Sequence, residues 1–162
     1  MYRSLLALTN WLQNTRMALA VGGSDWAYPY IQLTHFTGLS VWLGTSVAVD
    51  LSLMGVGRRK QAASQLLDAL FVWNWVGFGI AVLGGFLLFS IAATSFVSNA
   101  AFRVKLGILL PLALGMHILI QTKTRAWSRA ECPPTVAKLA GLVELLLWMS
   151  VVAAAVSIPY VR

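Results

Sequence analysis

Residues 28–56 read YPYIQLTHFTGLSVWLGTSVAVDLSLMGV, and this stretch decides the fold. It follows Trp26 and opens with Tyr28 and Tyr30, aromatic types favoured where a bilayer meets water, while Pro29 suits a first helical turn. A membrane-crossing helix needs about 20 apolar residues, so the segment is long enough to cross with some tilt. It stops at Arg58-Arg59-Lys60.

Composition extends this reading to the whole chain. The 162 residues are 59% hydrophobic and only 10% charged, with a mean hydropathy of +0.76. Soluble domains carry about a quarter charged residues, so an ordinary soluble enzyme, a disordered chain and a nucleic-acid binder are all excluded. The net charge of +7 comes from 12 Lys and Arg against 5 Asp and Glu. These bases lie between apolar runs, as topology signals do, rather than in one patch. The single cysteine, Cys132, rules out an internal disulfide, and no zinc-ligand spacing occurs.

Three more spans follow, at about 66–96, 102–121 and 136–160. Val97-Ser98-Asn99-Ala100 makes a tight return before the third, which is entered through Arg103 and Lys105 and leads to a basic loop with Lys123, Arg125, Arg129 and Pro133-Pro134. Ahead of the first span, residues 1–21 place Leu5, Leu8, Trp11, Leu12 and Leu19 among Arg3, Asn10, Gln13, Asn14 and Arg16. That alternation at helical spacing predicts an amphipathic helix in the headgroup layer. The competing reading, a secretory signal, lacks its continuous apolar run.

The expected fold is all-α and integral to the membrane: a single domain over 1–162, an up-and-down four-helix bundle with an N-terminal interfacial helix. Arg58, Arg59, Lys60, Lys123, Arg125, Arg129 and Lys138 outnumber Arg3, Arg16, Arg103, Lys105 and Arg162 on the opposite side. This bias puts both termini on the outer side of a bacterial inner membrane. Gly38, Gly44, Gly77, Gly79, Gly84, Gly85, Gly107 and Gly115 are expected where helices touch, because close backbone approach drives packing in lipid.

Ionisable groups at bilayer depth are costly, about 2.5 to 3.5 kcal/mol on insertion scales, and point to function. There are four: His35, Asp50, His117 and Glu144. Two histidines on different helices suit axial ligation of a haem b, with Arg103 and Lys105 as partners for its propionates and Met149 as a substitute ligand or plain filler. Trp42, Trp73, Trp75 and Trp148 offer flat surfaces for such a group, or ordinary packing. A rise of 1.5 Å per residue separates the depths of His35 and His117 by about 10 Å or more, which strains shared ligation. The same counting places Asp50, His117 and Glu144 at one level, a layer suited to a proton relay or a quinone contact. The alternative is that each group is satisfied by a backbone carbonyl or by another helix's hydroxyl.

The runs Tyr28-Pro29, Thr34-His35-Phe36-Thr37-Gly38, Gly44 and Asp50-Leu51-Ser52-Leu53-Met54-Gly55, with Ala101-Phe102-Arg103-Val104-Lys105 and the Trp148 helix ending near Pro159-Tyr160, resemble a poorly characterised family of small bacterial four-helix inner-membrane proteins. A looser resemblance is to membrane cytochromes of the cytochrome b561 kind, and it implies haem b on intramembrane histidines. His117 stands where many relatives are expected to carry Asn. Together these readings predict a membrane subunit of an electron-transfer complex, holding haem b or contacting quinone and working with other subunits such as a dehydrogenase or cytochrome. A non-catalytic anchoring subunit is the second expectation, and a small ion or metal transporter the third. No catalytic motif is present.

Overall fold

The computed structural model describes residues 2–56, 63–128 and 134–161, and among these every regular element is helical. In order they are α1 (Tyr2–Gln13), α2 (Arg16–Gly22), α3 (Ala27–Met54), α4 (Ala63–Ile91), α5 (Ala93–Ser98), α6 (Ala100–Val104), a π-helical turn (Lys105–Leu109), α7 (Leu110–Trp127) and α8 (Thr135–Ser157). Four helical runs are long and apolar enough to cross a membrane: α3, α4, the run Ala100–Trp127, and α8. Arg58-Arg59-Lys60, Arg129, Cys132 and Pro133 lie outside the described residues.

The helix ends differ from expectation for local reasons. The N-terminal helix is broken in two. Asn14 turns its amide back to the Asn10 carbonyl at 2.7 Å, and Thr15 caps α2 by accepting the Ala18 N–H at 3.3 Å. α3 ends where Gly55 takes the left-handed φ of 81° and the Val56 N–H reaches the Leu51 carbonyl at 2.9 Å. α4 stops at Ile91 rather than continuing to Phe96, because Ala92 departs to φ −138°, ψ 40° before α5 resumes. The third span runs past Gln121 to Trp127, so Lys123 and Arg125 sit on helix rather than in a loop. Both are good helix formers, and cations are favoured near a helix C-terminus. Within that span Pro111 lacks the N–H that Gly107 would have received. The backbone widens just before it, with the Leu110 N–H bonded to the Lys105 carbonyl five residues back.

Packing is tightest between α3 and α4. A Cβ on Gly38 would lie 2.6 Å from the Ala81 nitrogen, and one on Gly77 would lie 2.7 Å from the Trp42 nitrogen. Gly84 backs onto His35, and Gly141 lets α8 approach the Asp50 backbone. Gly44, Gly79, Gly107 and Gly115 face open space instead. They do not mark contacts, since glycine content does not tell which side of a helix is covered. α3 also packs on α8 and α8 on α7, whereas α4 and α7 meet along a thinner seam.

Two apolar clusters fill the interior. One joins Val49, Leu53, Leu67, Ile120, Ala137 and Ala140 near the basic ends of the helices. The other joins Trp42, Ala113, Trp148 and Val151 further along. On α3, α7 and α8 the buried side chains between these clusters are polar, Ser46, His117 and Glu144, and Asp50 adjoins them from beside Val49 in the aliphatic cluster.

Candidate functional site

The polar layer is built around His117, which is 2% exposed. Its Nδ1 lies 2.6 Å from Glu144 Oε1, and its Nε2 lies 3.0 Å from Asn74 Oδ1. Glu144 Oε1 also accepts the Trp148 indole N–H at 3.0 Å. α4, α7 and α8 therefore meet in one chain of bonds.

The orientation of Asn74 fixes where protons sit. Its NH2 faces three oxygens of α3: the Trp42 carbonyl at 3.2 Å, Thr45 Oγ1 at 2.9 Å and Ser46 Oγ at 2.9 Å. Both hydroxyls already donate to carbonyls one turn back on α3, so toward Asn74 they only accept. The Asn74 oxygen must then face His117, and His117 Nε2 carries a proton. Gln121 Nε2 stands 3.2 Å from that same N–H. Its amide bonds there only when turned to present Oε1, an atom otherwise buried without a partner.

With Nε2 protonated, one proton remains to be placed in the 2.6 Å contact between His117 Nδ1 and Glu144 Oε1. The pair is either imidazolium with carboxylate or imidazole with carboxylic acid. The two forms differ by moving that proton along a single short bond.

Asp50 completes the layer. It is 1% exposed, and both of its carboxyl oxygens are buried without a hydrogen-bond partner, as is Glu144 Oε2. Two carboxyls that face one cavity can bond to each other only when one of them keeps a proton. Both line a cavity of about 10 Å³, measured at the centre of a water molecule, together with Ser46, Asn74, His117 and Gln121. That is the room of about one water.

Sequence reasoning brings Asp50, His117 and Glu144 to one level, and here they do converge. It misses Asn74, Gln121 and the Ser46 hydroxyl. Asn74 had a signal, a side-chain amide inside an apolar span, but a neutral group does not stand out in a search for charge. Ser46 had none.

His35 lies elsewhere. Its Nδ1 donates to the Ala81 carbonyl at 2.7 Å, and its ring rests on Gly84 and Gly85. Ala81 is seven residues beyond Asn74, about 10 Å along α4, so the two imidazoles occupy separate levels. Lys105 is half-buried and Arg103 is exposed. Met149 is 67% exposed and Trp73 is 63% exposed, whereas Trp42 and Trp148 are buried against each other at 4.3 Å between ring centroids. A haem held between His35 and His117 does not fit these residues. Both nitrogens of His117 are engaged, and the adjoining cavity takes one water, not a macrocycle. Among the described residues no group of three or more His, Cys, Asp or Glu side chains is arranged to hold a metal ion.

These features define a class: a helical chain with four candidate membrane spans and a buried, titratable cluster between them. Compared with protein-family models, with curated proteins and with solved structures, the chain gives no match.

Proposed function

We propose that this chain is a proton-handling membrane protein whose Asp50–Glu144–His117 cluster takes up and releases protons at bilayer depth. The spans are read as an up-and-down bundle in a bacterial inner membrane, with the Lys123 and Arg125 end of α7 inside and α1–α2 in the headgroup layer. The observation that carries the reading is the 2.6 Å His117–Glu144 contact beside a fully buried Asp50 whose oxygens have no donor. A merely structural polar layer would be fully paired, because an unmet buried acceptor costs about 1–3 kcal/mol and a charged one more. Unpaired carboxyl oxygens are retained where a proton or ligand comes and goes.

The setting expected from the sequence is a subunit of an electron-transfer complex. There such a cluster handles protons, and electrons pass through partner subunits. Haem on His35 and His117 is not part of this reading.

Infrared difference spectra of the purified chain in lipid nanodiscs, recorded across a pH step, test it. A protonated-carboxyl band that shifts in heavy water and disappears in Asp50→Asn or Glu144→Gln is expected. Spectra that are the same in the wild type and both variants would show carboxyls that never titrate, and the reading would fall.

A further inference from the structure

The surroundings of the cavity restrict what reaches it. Along the helix axes it is shut on both sides, by the aliphatic cluster around Leu53 and Ile120 and by the aromatic cluster of Trp42 and Trp148. Its most exposed wall is Phe71 of α4, at 44%, beside half-buried Leu70 and with half-buried Gln121 from α7. The thinnest cover is therefore sideways, beside the α4–α7 seam, and in a bilayer that side would face hydrocarbon. Whatever enters comes through lipid.

The free atoms restrict its chemistry. Asp50 Oδ1, Asp50 Oδ2 and Glu144 Oε2 are acceptors without donors, and Gln121, once turned, brings only one amide to the rim. No Lys or Arg lines the cavity. The ionisable groups facing it are Asp50 from α3, His117 from α7 and Glu144 from α8, with none from α4. With His117 and Glu144 neutral as a pair, an ionised Asp50 leaves one negative charge uncompensated, which a buried site does not tolerate.

We infer that the cavity binds the ammonium head of a lipophilic primary amine, which enters between α4 and α7 and exchanges with the proton on Asp50. The inference rests on the proton-handling reading and adds the substrate class. A primary ammonium has three N–H donors for three free oxygens, one positive charge for one negative, and a head the size of a water. Its alkyl body lies against Leu70 and Phe71, where the latter adds attraction between a ring and a nearby cation. The balance is simple. Protonated Asp50 plus R–NH3+ gives the Asp50 carboxylate bound to R–NH3+ and one released proton, with no change in oxidation state. A neutral quinol leaves the charge unmet. A hydrated sodium ion faces two apolar plugs, and three oxygens replace too little of its water.

The test uses the full chain in nanodiscs and a lipid-soluble carbodiimide, which reacts with buried protonated carboxyls, with the modified residue mapped by mass spectrometry. Dodecylammonium at ten times its dissociation constant is expected to slow labelling of Asp50 about tenfold by mass action. It is also expected to release about one proton per chain. Dodecyltrimethylammonium, which lacks N–H donors and has a larger head, should protect far less, and dodecanol should not protect. Asp50→Asn should bind no dodecylammonium while melting no lower than the wild type, and Phe71→Ala, which keeps the carboxyls, should weaken protection. Equal protection by dodecanol or by the trimethyl compound would reduce the effect to partitioning and overturn the inference. Protection by sodium chloride alone would make the site one for an inorganic cation, and protection by a quinol alone would make it a quinol site. Should Asp50 label and titrate yet ignore dodecylammonium, this inference falls and the proton-handling reading stands. A carboxyl that neither labels nor titrates overturns both.

Discussion

The two histidines of this chain, one level apart along α4, show how differently the same side chain is used inside an apolar protein. His35 satisfies one nitrogen on the Ala81 carbonyl and lays its ring on two glycines. Its partner is backbone, which neither gains nor loses a proton. His117 has a carboxyl group on one nitrogen, an amide on the other, and a second, unpaired carboxyl nearby. His117 is fully buried and His35 half-buried. The chemistry of the partner, a carboxyl in one case and a backbone carbonyl in the other, separates them further.

The sharpest way to break this contrast is to remove one acid. Glu144→Ala strips His117 Nδ1 and the Trp148 indole of their shared acceptor. Removing one member of a buried pair typically costs about 3–5 kcal/mol, so thermal unfolding in nanodiscs should show the largest loss of any single substitution here. A melting temperature that barely moves would mean that Glu144 and His117 are not a coupled pair. Around His35 the sensitivity is steric instead. In Gly84→Ala the new Cβ would lie 2.9 Å from His35 Cβ and 3.0 Å from its Cα, and overpacking of this kind costs about 1–3 kcal/mol. The same substitution at Gly79, which faces open space, serves as the control and should be neutral or slightly stabilising.

Much of this was legible in the sequence, and what was not has one physical origin. Hydropathy locates the four candidate spans because lipid penalises charge wherever it falls, and a rise of 1.5 Å per residue turns position into depth. Depth is why Asp50, His117 and Glu144 were expected at one level and His35 at another. Rotation about each helix axis is not written the same way, since it is set by which neighbour packs where. Hence Gly38 and Gly77 mark a contact and Gly44 and Gly79 do not, though all four read alike in the chain. Rotation also brings Asn74 to His117 and turns Met149 and Arg103 outward. The Lys123 and Arg125 positions teach a separate lesson. Charge ends the apolar part of a helix without ending the helix.

His35→Ala sharpens the comparison from the other side. It removes one hydrogen bond to a backbone carbonyl, a net contribution of about 0.5–1.5 kcal/mol, together with the ring packed on Gly85. The expected result is a modest drop in melting temperature with the protonated-carboxyl infrared band unchanged. If that band shifts, the two levels are coupled and the separation drawn here is wrong.

The smallest expected effect belongs to the ion pair at the end of the seam that flanks the cavity. Arg125 Nη2 and Asp68 Oδ1 meet at 2.5 Å with side chains 60% and 53% exposed, and the nearby Ser64 N–H donates to Ser128 Oγ at 3.2 Å. Exposed pairs are worth about 0–1 kcal/mol, so Asp68→Asn should leave stability nearly untouched. Its value lies in access. Asp68 is six residues from Asn74, about 9 Å along α4, and the buried Leu67 and Ile120 lie between the pair and the cavity. If the site opens sideways into lipid, breaking the pair leaves labelling of Asp50 by a lipid-soluble carbodiimide unchanged and a water-soluble one still excluded. If the water-soluble reagent gains entry in Asp68→Asn, the pair is a latch on an aqueous route from the basic end. The polar layer would then exchange its protons with water rather than with a ligand dissolved in the membrane.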